Sequence, residues 1–217
     1  MRSFRHWTPR YIINRISEKM YQQTHPNHPW LTKEANSILS SYIQESDRGL
    51  EFGSGRSTIW FAKRVSFLTS VEHDSCWYSR VHNWLMGMNN IEYLLVEKDE
   101  DDDGNKGKNA AYVKVIDQFE DNSLDFVLVD GAYRGACAIG ILQKIRPGGL
   151  LIIDNANWFL PCKSFSPNSR TYKQGAVSQT WKEFLNEVEG REERNKWRKI
   201  WTSSGVTDTA FYFKPCQ

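Results

Sequence analysis

The stretch that decides the fold reads Gly49-Leu-Glu-Phe-Gly-Ser-Gly-Arg-Ser57, and a second stretch, Thr69-Ser-Val-Glu-His-Asp74, follows it. Each contains an apolar strand pattern that ends in an acid, and the first acid leads into a Gly-x-Gly turn that opens a helix. Because Gly53 and Gly55 have no Cβ, the backbone can turn sharply and lie flat against a ligand. Glu72, at the tip of the second strand, can accept hydrogen bonds from both hydroxyls of a ribose. The two stretches together predict a nucleoside-binding pocket.

Position 58 narrows the choice of ligand. A dinucleotide-binding fingerprint has a third glycine there, which lets the helix pack closely on the strand beneath a pyrophosphate. This chain has Thr58 at that position. A ligand that contains a pyrophosphate is therefore disfavoured.

The rest of the chain alternates strand and helix patterns. Predicted strands cover residues 50–52, 67–72, 91–96, 124–130, 150–154, 197–202 and 209–214. The helical pattern between the fourth and fifth strands includes Ile145 and stops at Pro147-Gly148-Gly149. Strands joined by helices imply right-handed βαβ units and a mostly parallel sheet. The last two strands flank a turn and predict a C-terminal hairpin.

A helical and aromatic extension, residues 1–45, precedes the main domain, residues 46–217. Its first 24 residues contain one acid, Glu18, and five basic side chains: Arg2, Arg5, Arg10, Arg15 and Lys19. An organelle transit peptide is also rich in arginine and poor in acids, but Trp7 and Tyr11 are unusual in a leader that is removed. We therefore expect a helix around residues 11–21 that packs on the domain or lies near a membrane surface.

Four motifs, in order over residues 47–154, resemble those of the class I S-adenosylmethionine-dependent methyltransferases. They are Glu51-Phe-Gly-Ser-Gly55, Val71-Glu72, Val127-Leu-Val-Asp130-Gly131 and Arg146-Pro-Gly-Gly-Leu-Leu-Ile-Ile-Asp154. With this resemblance, the predicted fold is an α/β fold with a mostly parallel seven-stranded Rossmann-like sheet, helices on both faces and a C-terminal antiparallel hairpin. The resemblance also implies that residues 46–217 bind S-adenosylmethionine.

The resemblance assigns roles to individual residues of the predicted pocket. It places Glu51 and the turn Gly53-Ser54-Gly55 at the methionine end of the cofactor, and Glu72 at the ribose. His73 follows directly and is expected beside the adenosine, while Asp130 borders both cofactor and acceptor. An acceptor hydroxyl must lose a proton near neutral pH, and Asp130 is the first candidate for the base. Tyr133 and Arg134 are expected to orient substrate or cofactor, and Asp154 completes the catalytic set.

Asp130, Asp154 and Asn155 also raise the question of a metal ion. Neighbouring strand ends would bring their oxygen atoms together, as Mg²⁺ prefers, which resembles the metal site of the catechol O-methyltransferase branch. That branch has a lysine where this chain has Tyr133, and its first glycine motif has a longer gap. We therefore predict no metal ligand and do not favour Mg²⁺, which stays an alternative.

An acidic loop, residues 97–104, matches the first half of an EF-hand at Asp99, Asp101, Asp103 and Gly104. The twelfth position of such a loop must be a bidentate glutamate, and here it is Ala110. The loop also follows a strand and not a helix. We expect a solvated connection and no calcium site.

Composition limits the partners and the compartment. The 217 residues carry a net charge of +2 with no cluster of five basic residues, so no nucleic acid is expected. The four cysteines are far apart, which is typical of unused thiols in a reducing compartment, and no apolar run reaches the ~18 residues of a transmembrane helix. The N-terminus has no apolar secretory signal. We expect a cytoplasmic protein with no transmembrane segment.

The sequence favours methyl transfer to an oxygen atom of a small-molecule or saccharide-like acceptor. One alternative is a nucleotide- or sugar-nucleotide-binding oxidoreductase on the same sheet, against which Thr58 and the lack of a Tyr-x-x-x-Lys pair speak. The other is a non-catalytic, ligand-binding relative that keeps the pocket without the chemistry.

Overall fold

Seven strands, counted over the described residues, form one sheet in the order β3-β2-β1-β4-β5-β7-β6. The computed structural model describes residues 7–99, 106–190 and 193–216, without the side chains of Lys106 and Glu193. The strands are β1 (Arg48–Phe52), β2 (Phe67–Glu72), β3 (Ile91–Leu95), β4 (Leu124–Val129), β5 (Ile145–Asp154), β6 (Arg198–Ser203) and β7 (Asp208–Phe213). The first five are parallel, and β7 runs antiparallel to β5 and β6. The predicted fold class and the terminal hairpin are confirmed.

Helices cover both faces of this sheet. They are α1 (Pro9–Thr24), α2 (Lys33–Tyr42), α3 (Arg56–Ala62), α4 (Ser75–Trp84), α5 (Ala111–Lys114), α6 (Arg134–Gly140) and α7 (Gln179–Glu189). Alternate residues of β4 point to opposite faces: Phe126 packs in a cluster with α2 and α3, whereas Val127 packs with α5, α6 and α7. Side chains cap two of these helices: Thr32 before α2 and Asp74 before α4 accept hydrogen bonds from the backbone N–H groups of Ala35 and Trp77 at 3.1 and 2.7 Å.

The boundary between α6 and β5 differs from the prediction. The helix ends at Gly140, and β5 already begins at Ile145, which is fully buried opposite Leu124. Pro147-Gly148-Gly149 therefore lie inside the strand, where the register with β4 shifts between Leu124 and Phe126. A bulge of this kind accommodates residues that break a regular ladder, which is why the sequence pattern suggested a helix stop.

Residues 155–178 connect β5 to α7 without a long helix or strand. Asn157 is buried and holds the connection together by donating hydrogen bonds to the Pro167 carbonyl and the Ser169 hydroxyl. Most of the acidic loop, including Asp101, Asp103 and Gly104, lies outside the described residues. Within the described part of the chain, no helix is both long and apolar enough to cross a bilayer.

Candidate functional site

The candidate site lies at one edge of the sheet, beyond the carboxyl ends of β1, β2, β4 and β5. Parallel strands end at the same edge, so the turn after β1 meets Glu72 from β2 and Asp130 after β4. Asp154 ends β5, the neighbour of β4. Ligands of open α/β sheets bind at this edge. The structure thus brings the predicted acids together.

Glu72 organises the backbone of the turn. Its Oε2 accepts hydrogen bonds from the Ser54 backbone N–H at 3.0 Å and the Ser54 hydroxyl at 2.6 Å. Its Oε1 accepts from the backbone N–H groups of His73 and Asp74 at 2.7 and 2.9 Å. Burial raises the pKa of Glu72, but the hydrogen bonds from His73, Ser54 and Asp74 outweigh it and lower the pKa to about 2. Glu72 is therefore an ionised acceptor at neutral pH.

The two glycines of the turn have different surroundings. Gly53 has a φ of +93°, and a Cβ added there would lie 2.6 Å from the backbone nitrogen of Gly131. Because Gly53 has no side chain, the turn after β1 can contact the backbone of the turn after β4. A Cβ at Gly55 would meet only Trp77, at 3.9 Å, so this glycine leaves open space beside the turn. Of the two glycines, Gly55 is the one that leaves room for a ligand.

Glu51 is fully buried under the turn. Its Oε2 accepts hydrogen bonds from the hydroxyls of Thr58 at 2.5 Å and Ser70 at 2.8 Å. Thr58, which replaces the third glycine, also accepts a hydrogen bond from the Gly55 N–H. Burial raises the Glu51 pKa to about 7, although the hydroxyls of Ser57, Thr58 and Ser70 lower it. Oε1 has no hydrogen bond of normal geometry and is available to a further donor.

Arg134 fills the space between the ends of β4 and β5. Its guanidinium forms an ion pair with Asp130 Oδ1 at 2.7 Å and donates to Asn155 Oδ1 at 3.1 Å. It also donates to the carbonyl oxygens of Asp130, Gly131 and Asp154. Asp130 and Asn155, two of the three side chains considered as Mg²⁺ ligands, thus contact the Arg134 guanidinium. In the described part of the chain, no group of three His, Cys, Asp or Glu side chains could hold a metal ion.

Asp154, the third of these side chains, is buried and accepts a hydrogen bond from the Thr209 hydroxyl at 2.9 Å. Burial and the negative charge of Asp130 raise its pKa, and Arg134 opposes this rise. Burial likewise raises the pKa of Asp130, which Arg134 opposes more directly. Of the two acids, Asp130 is the one in direct contact with the guanidinium. Although protein groups surround most of the Asp130 carboxyl, 38% of the side chain is exposed, so an acceptor can reach it.

His73 and Tyr133 flank this centre. The Nδ1 atom of His73 lies 3.1 Å from Glu72 Oε1, and its ring meets the Tyr112 ring edge-on. Tyr133 precedes α6 with a φ of 47°, and its ring centroid lies 6.1 Å from that of Tyr112. His73 directly follows Glu72, the residue assigned to the ribose. The roles of both residues stay predictions.

Two residues at the site were missed by reasoning from the sequence. The Tyr93 hydroxyl lies 2.7 Å from the Ser54 hydroxyl, and the Trp77 indole donates to the Ser54 carbonyl at 2.8 Å. Trp77 repeats with Val81 and Trp84 at helical spacing, a pattern that indicates only packing. Tyr93 carries no local signal, because it reaches Ser54 only through the pairing of β3 with β2.

Solved structures resemble this chain over most of its length. An rRNA methylase from Streptococcus thermophilus has a TM-score of 0.54 at 11% identity, over 84% of this chain and 95% of its own. A methyltransferase-like protein from Silicibacter pomeroyi has a TM-score of 0.52 at 21% identity, over 87% and 90%. The chain has the fold of the class I methyltransferases. The sequence itself matches no protein-family model and no curated protein.

A third similar structure contains a ligand. It is a methyltransferase of Streptococcus mutans in complex with S-adenosylhomocysteine, with a TM-score of 0.54 at 10% identity, over 84% of this chain and 96% of that one. The methyltransferase fold that the four sequence motifs suggested is thereby confirmed. At these identities the likeness establishes the fold and leaves the acceptor open.

Proposed function

We propose that this chain is an S-adenosylmethionine-dependent methyltransferase that acts on a hydroxyl of a small-molecule or saccharide-like acceptor. The observation that carries the proposal is the ionised Glu72 carboxylate beside the Gly53-Ser54-Gly55 turn. A carboxylate in this position suits a ribose with two hydroxyl donors, and the Ser54 hydroxyl that now occupies Oε2 has a second partner in Tyr93. The ribose would take the place of the Ser54 hydroxyl on Glu72.

The methionine end of the cofactor fits the other half of the site. Glu51 Oε1 is a buried oxygen without a hydrogen bond, and in the turn above it a Cβ at Gly55 would meet only Trp77. A positively charged amino group is the kind of donor that would satisfy a carboxylate whose pKa burial has raised. Glu51 and Gly55 thus fit the group that the resemblance assigns to them.

The chemistry requires mainly alignment. When bound, S-adenosylmethionine supplies a methyl group on a cationic sulfur, which keeps the electron pair as an acceptor oxygen forms the new bond. Holding reactants in line is worth ~7–11 kcal/mol. Asp130 would hold the acceptor hydroxyl and take its proton, and Arg134 would fix the Asp130 carboxylate. Arg134 also provides the positive charge that Mg²⁺ provides in metal-dependent enzymes, which supports a reaction without metal.

A cavity beside Arg134, bordered also by Gly131 and Tyr133, supports an acceptor of small size. It measures about 390 Å³, within the usual range for small-molecule sites, and borders Arg134. The stacked rings of Phe159 and Trp181, 5.2 Å apart, line it. Aromatic walls beside hydrogen-bonding groups suit a saccharide-like ring. The net charge of +2 supports an acceptor other than nucleic acid, and four free cysteines support a cytoplasmic location.

Calorimetric titration with S-adenosylmethionine, S-adenosylhomocysteine and NAD tests the proposal. We expect the first two to bind and to raise the unfolding free energy by ~2.7 kcal/mol at a hundredfold excess over Kd. NAD should do neither. Binding of NAD alone would favour the oxidoreductase alternative. Binding of S-adenosylmethionine without transfer of its labelled methyl group to any hydroxylated acceptor would favour the non-catalytic relative.

A further inference from the structure

Helix α1 carries a continuous apolar stripe on its outer face. Ile13, Ile16 and Met20 follow one another at the spacing of neighbouring helical turns and are 66%, 54% and 60% exposed. Ile12 borders the stripe and is 42% exposed, and no residue of the helix is buried. An exposed helix face with this many large apolar side chains is typical of an interaction surface.

The opposite face of α1 holds the helix on the domain through polar contacts. Asn14 packs against Gly205, where an added Cβ would lie 2.0 Å from the Asn14 amide nitrogen. Ser204 donates a hydrogen bond to Glu18, and the Tyr21 hydroxyl bonds the His28 ring at 2.7 Å. Asn14, Glu18 and Tyr21 are spaced along one side of the helix. The apolar stripe therefore points away from the domain.

The charged residues beside the stripe have one sign. Arg10, Arg15 and Lys19 are the basic residues of α1, and Glu18 is its one acid. Glu18 has a side chain only 8% exposed and is paired with Arg15 at 2.6 Å. The Arg10 guanidinium stacks over Phe165, whose ring is 76% exposed and extends the apolar surface beyond the helix. The outer surface of α1 is thus apolar in the middle and basic at its sides.

We propose that this face of α1 docks on an anionic membrane surface. An interfacial helix buries an apolar stripe at the boundary of the acyl chains, while long basic side chains reach the headgroups. Anionic lipids add attraction to each basic residue. A second copy of the chain fits less well, because two such faces would bring Arg15 and Lys19 against basic residues of the same helix.

The docked helix would lie beside the candidate site. The turn that contacts α1, residues 204–207, also bonds the end of β5, because the Asn155 amide donates to the Thr207 hydroxyl at 2.6 Å. Asn155 in turn accepts a hydrogen bond from Arg134. Docking through α1 would therefore hold this edge of the sheet close to the lipid surface. The proposal does not depend on the reaction performed there.

Co-sedimentation with lipid vesicles tests the proposal on the full chain. The vesicles consist of phosphatidylcholine alone or of phosphatidylcholine mixed with phosphatidylserine. We expect binding to the mixed vesicles that weakens as salt is added, and little binding to phosphatidylcholine. Lys19→Gln should lower the partition coefficient about fivefold, which is the contribution of one lysine near such a surface. Lys182→Gln, an exposed lysine on α7, should leave it unchanged.

A double variant, Ile16→Glu with Met20→Glu, tests the apolar stripe. Both side chains are exposed, so the fold should survive, and we expect binding to the mixed vesicles to be lost. Met86→Glu replaces a methionine that is 72% exposed elsewhere and should bind like the wild type. Equal binding by the double variant, or no binding by the wild type, would overturn the proposal. So would a wild-type dimer that the double variant dissociates, since the face would then join two copies.

Discussion

At the residue scale, Glu51 has two opposing effects, one on folding and one on binding. It is fully buried, and its pKa rises from an ordinary 4.5 to about 7, so the fold favours its neutral form. Any stability that depends on the neutral form is complete below pH 4.5 and is lost as the pH rises to about 7. A bound cation would reverse the preference, because it favours the ionised carboxylate.

Glu51→Gln tests the cost to folding. The variant is neutral at every pH, so above pH 7 it should be more stable than the wild type by up to about 3 kcal/mol, at about 1.36 kcal/mol per pKa unit. Near pH 4 the two proteins should have the same free energy of unfolding. Urea denaturation at both pH values measures this, with Glu120→Gln, an exposed carboxyl, as the control. A difference that does not change with pH would contradict the account.

The same variant tests the benefit to binding. We expect Glu51→Gln to bind S-adenosylmethionine about tenfold to a hundredfold more weakly, the usual loss of a hydrogen bond to a charged group. In the wild type, affinity should rise as the pH increases through about 7, where Glu51 ionises. Calorimetry across this range gives both results. An affinity that is flat with pH would exclude Glu51 from contact with the methionine amino group.

The glycine turn provides a matched pair of variants. Gly53→Ala forces a Cβ against the Gly131 backbone at a positive φ, so it should destabilise the protein by at least ~1 kcal/mol. Gly55→Ala places its Cβ in open space and should leave the stability of the free protein within ~0.5 kcal/mol. The second variant should nevertheless weaken cofactor binding. Thermal unfolding and calorimetry on both proteins separate the effects, and normal binding by Gly55→Ala would remove the turn from the cofactor site.

At the scale of secondary structure elements, Arg134 at the start of α6 joins the ends of β4 and β5. Its contacts with Asp130, Asn155 and three backbone carbonyls cross from one strand to the next. Burial leaves only 16% of its side chain exposed, so these contacts are shielded more than a surface pair. The helix therefore positions both the candidate base and the strand end beside it.

Chelation distinguishes this arrangement from a metal site. We expect EDTA to leave turnover unchanged. The variant Arg134→Met should reduce turnover strongly, and it should lower the free energy of unfolding by ~1–3 kcal/mol because Asp130 loses its partner. Lys144→Met removes an ion pair to the exposed Asp121 and should cost at most ~0.5 kcal/mol. Loss of turnover in EDTA that Mg²⁺ restores would show that the reaction depends on a metal.

The sequence predicted each acid at a strand end because the pattern is local: an apolar run followed by a carboxylate. It did not predict the start of β5, where Ile145 fits a helical stripe as well as a buried strand, and only pairing with Leu124 decides between them. Tyr93 and Trp77 were missed for a similar reason. Their contacts with Ser54 depend on strand register and on the rotation of α4, neither of which a local pattern contains.

At the scale of the whole molecule, the order of the motifs was enough to predict the sheet. The placement of α1 was not, because its contacts with Ser204 and Gly205 join residues at opposite ends of the chain. The aromatic residues and basic charges predicted a helix, and the structure adds which face points outward. The same edge of the molecule thus carries the candidate site and the outer face of α1.

The structure of the complex with S-adenosylhomocysteine tests the central claim, that the strand-end acids form a cofactor site. We predict both ribose hydroxyls within about 3.2 Å of the Glu72 carboxylate, with the Ser54 hydroxyl turned toward Tyr93. The amino group should lie at Glu51, and the sulfur should face Asp130. A ligand bound elsewhere, or one that leaves all four hydrogen bonds of Glu72 to the protein in place, would contradict the account.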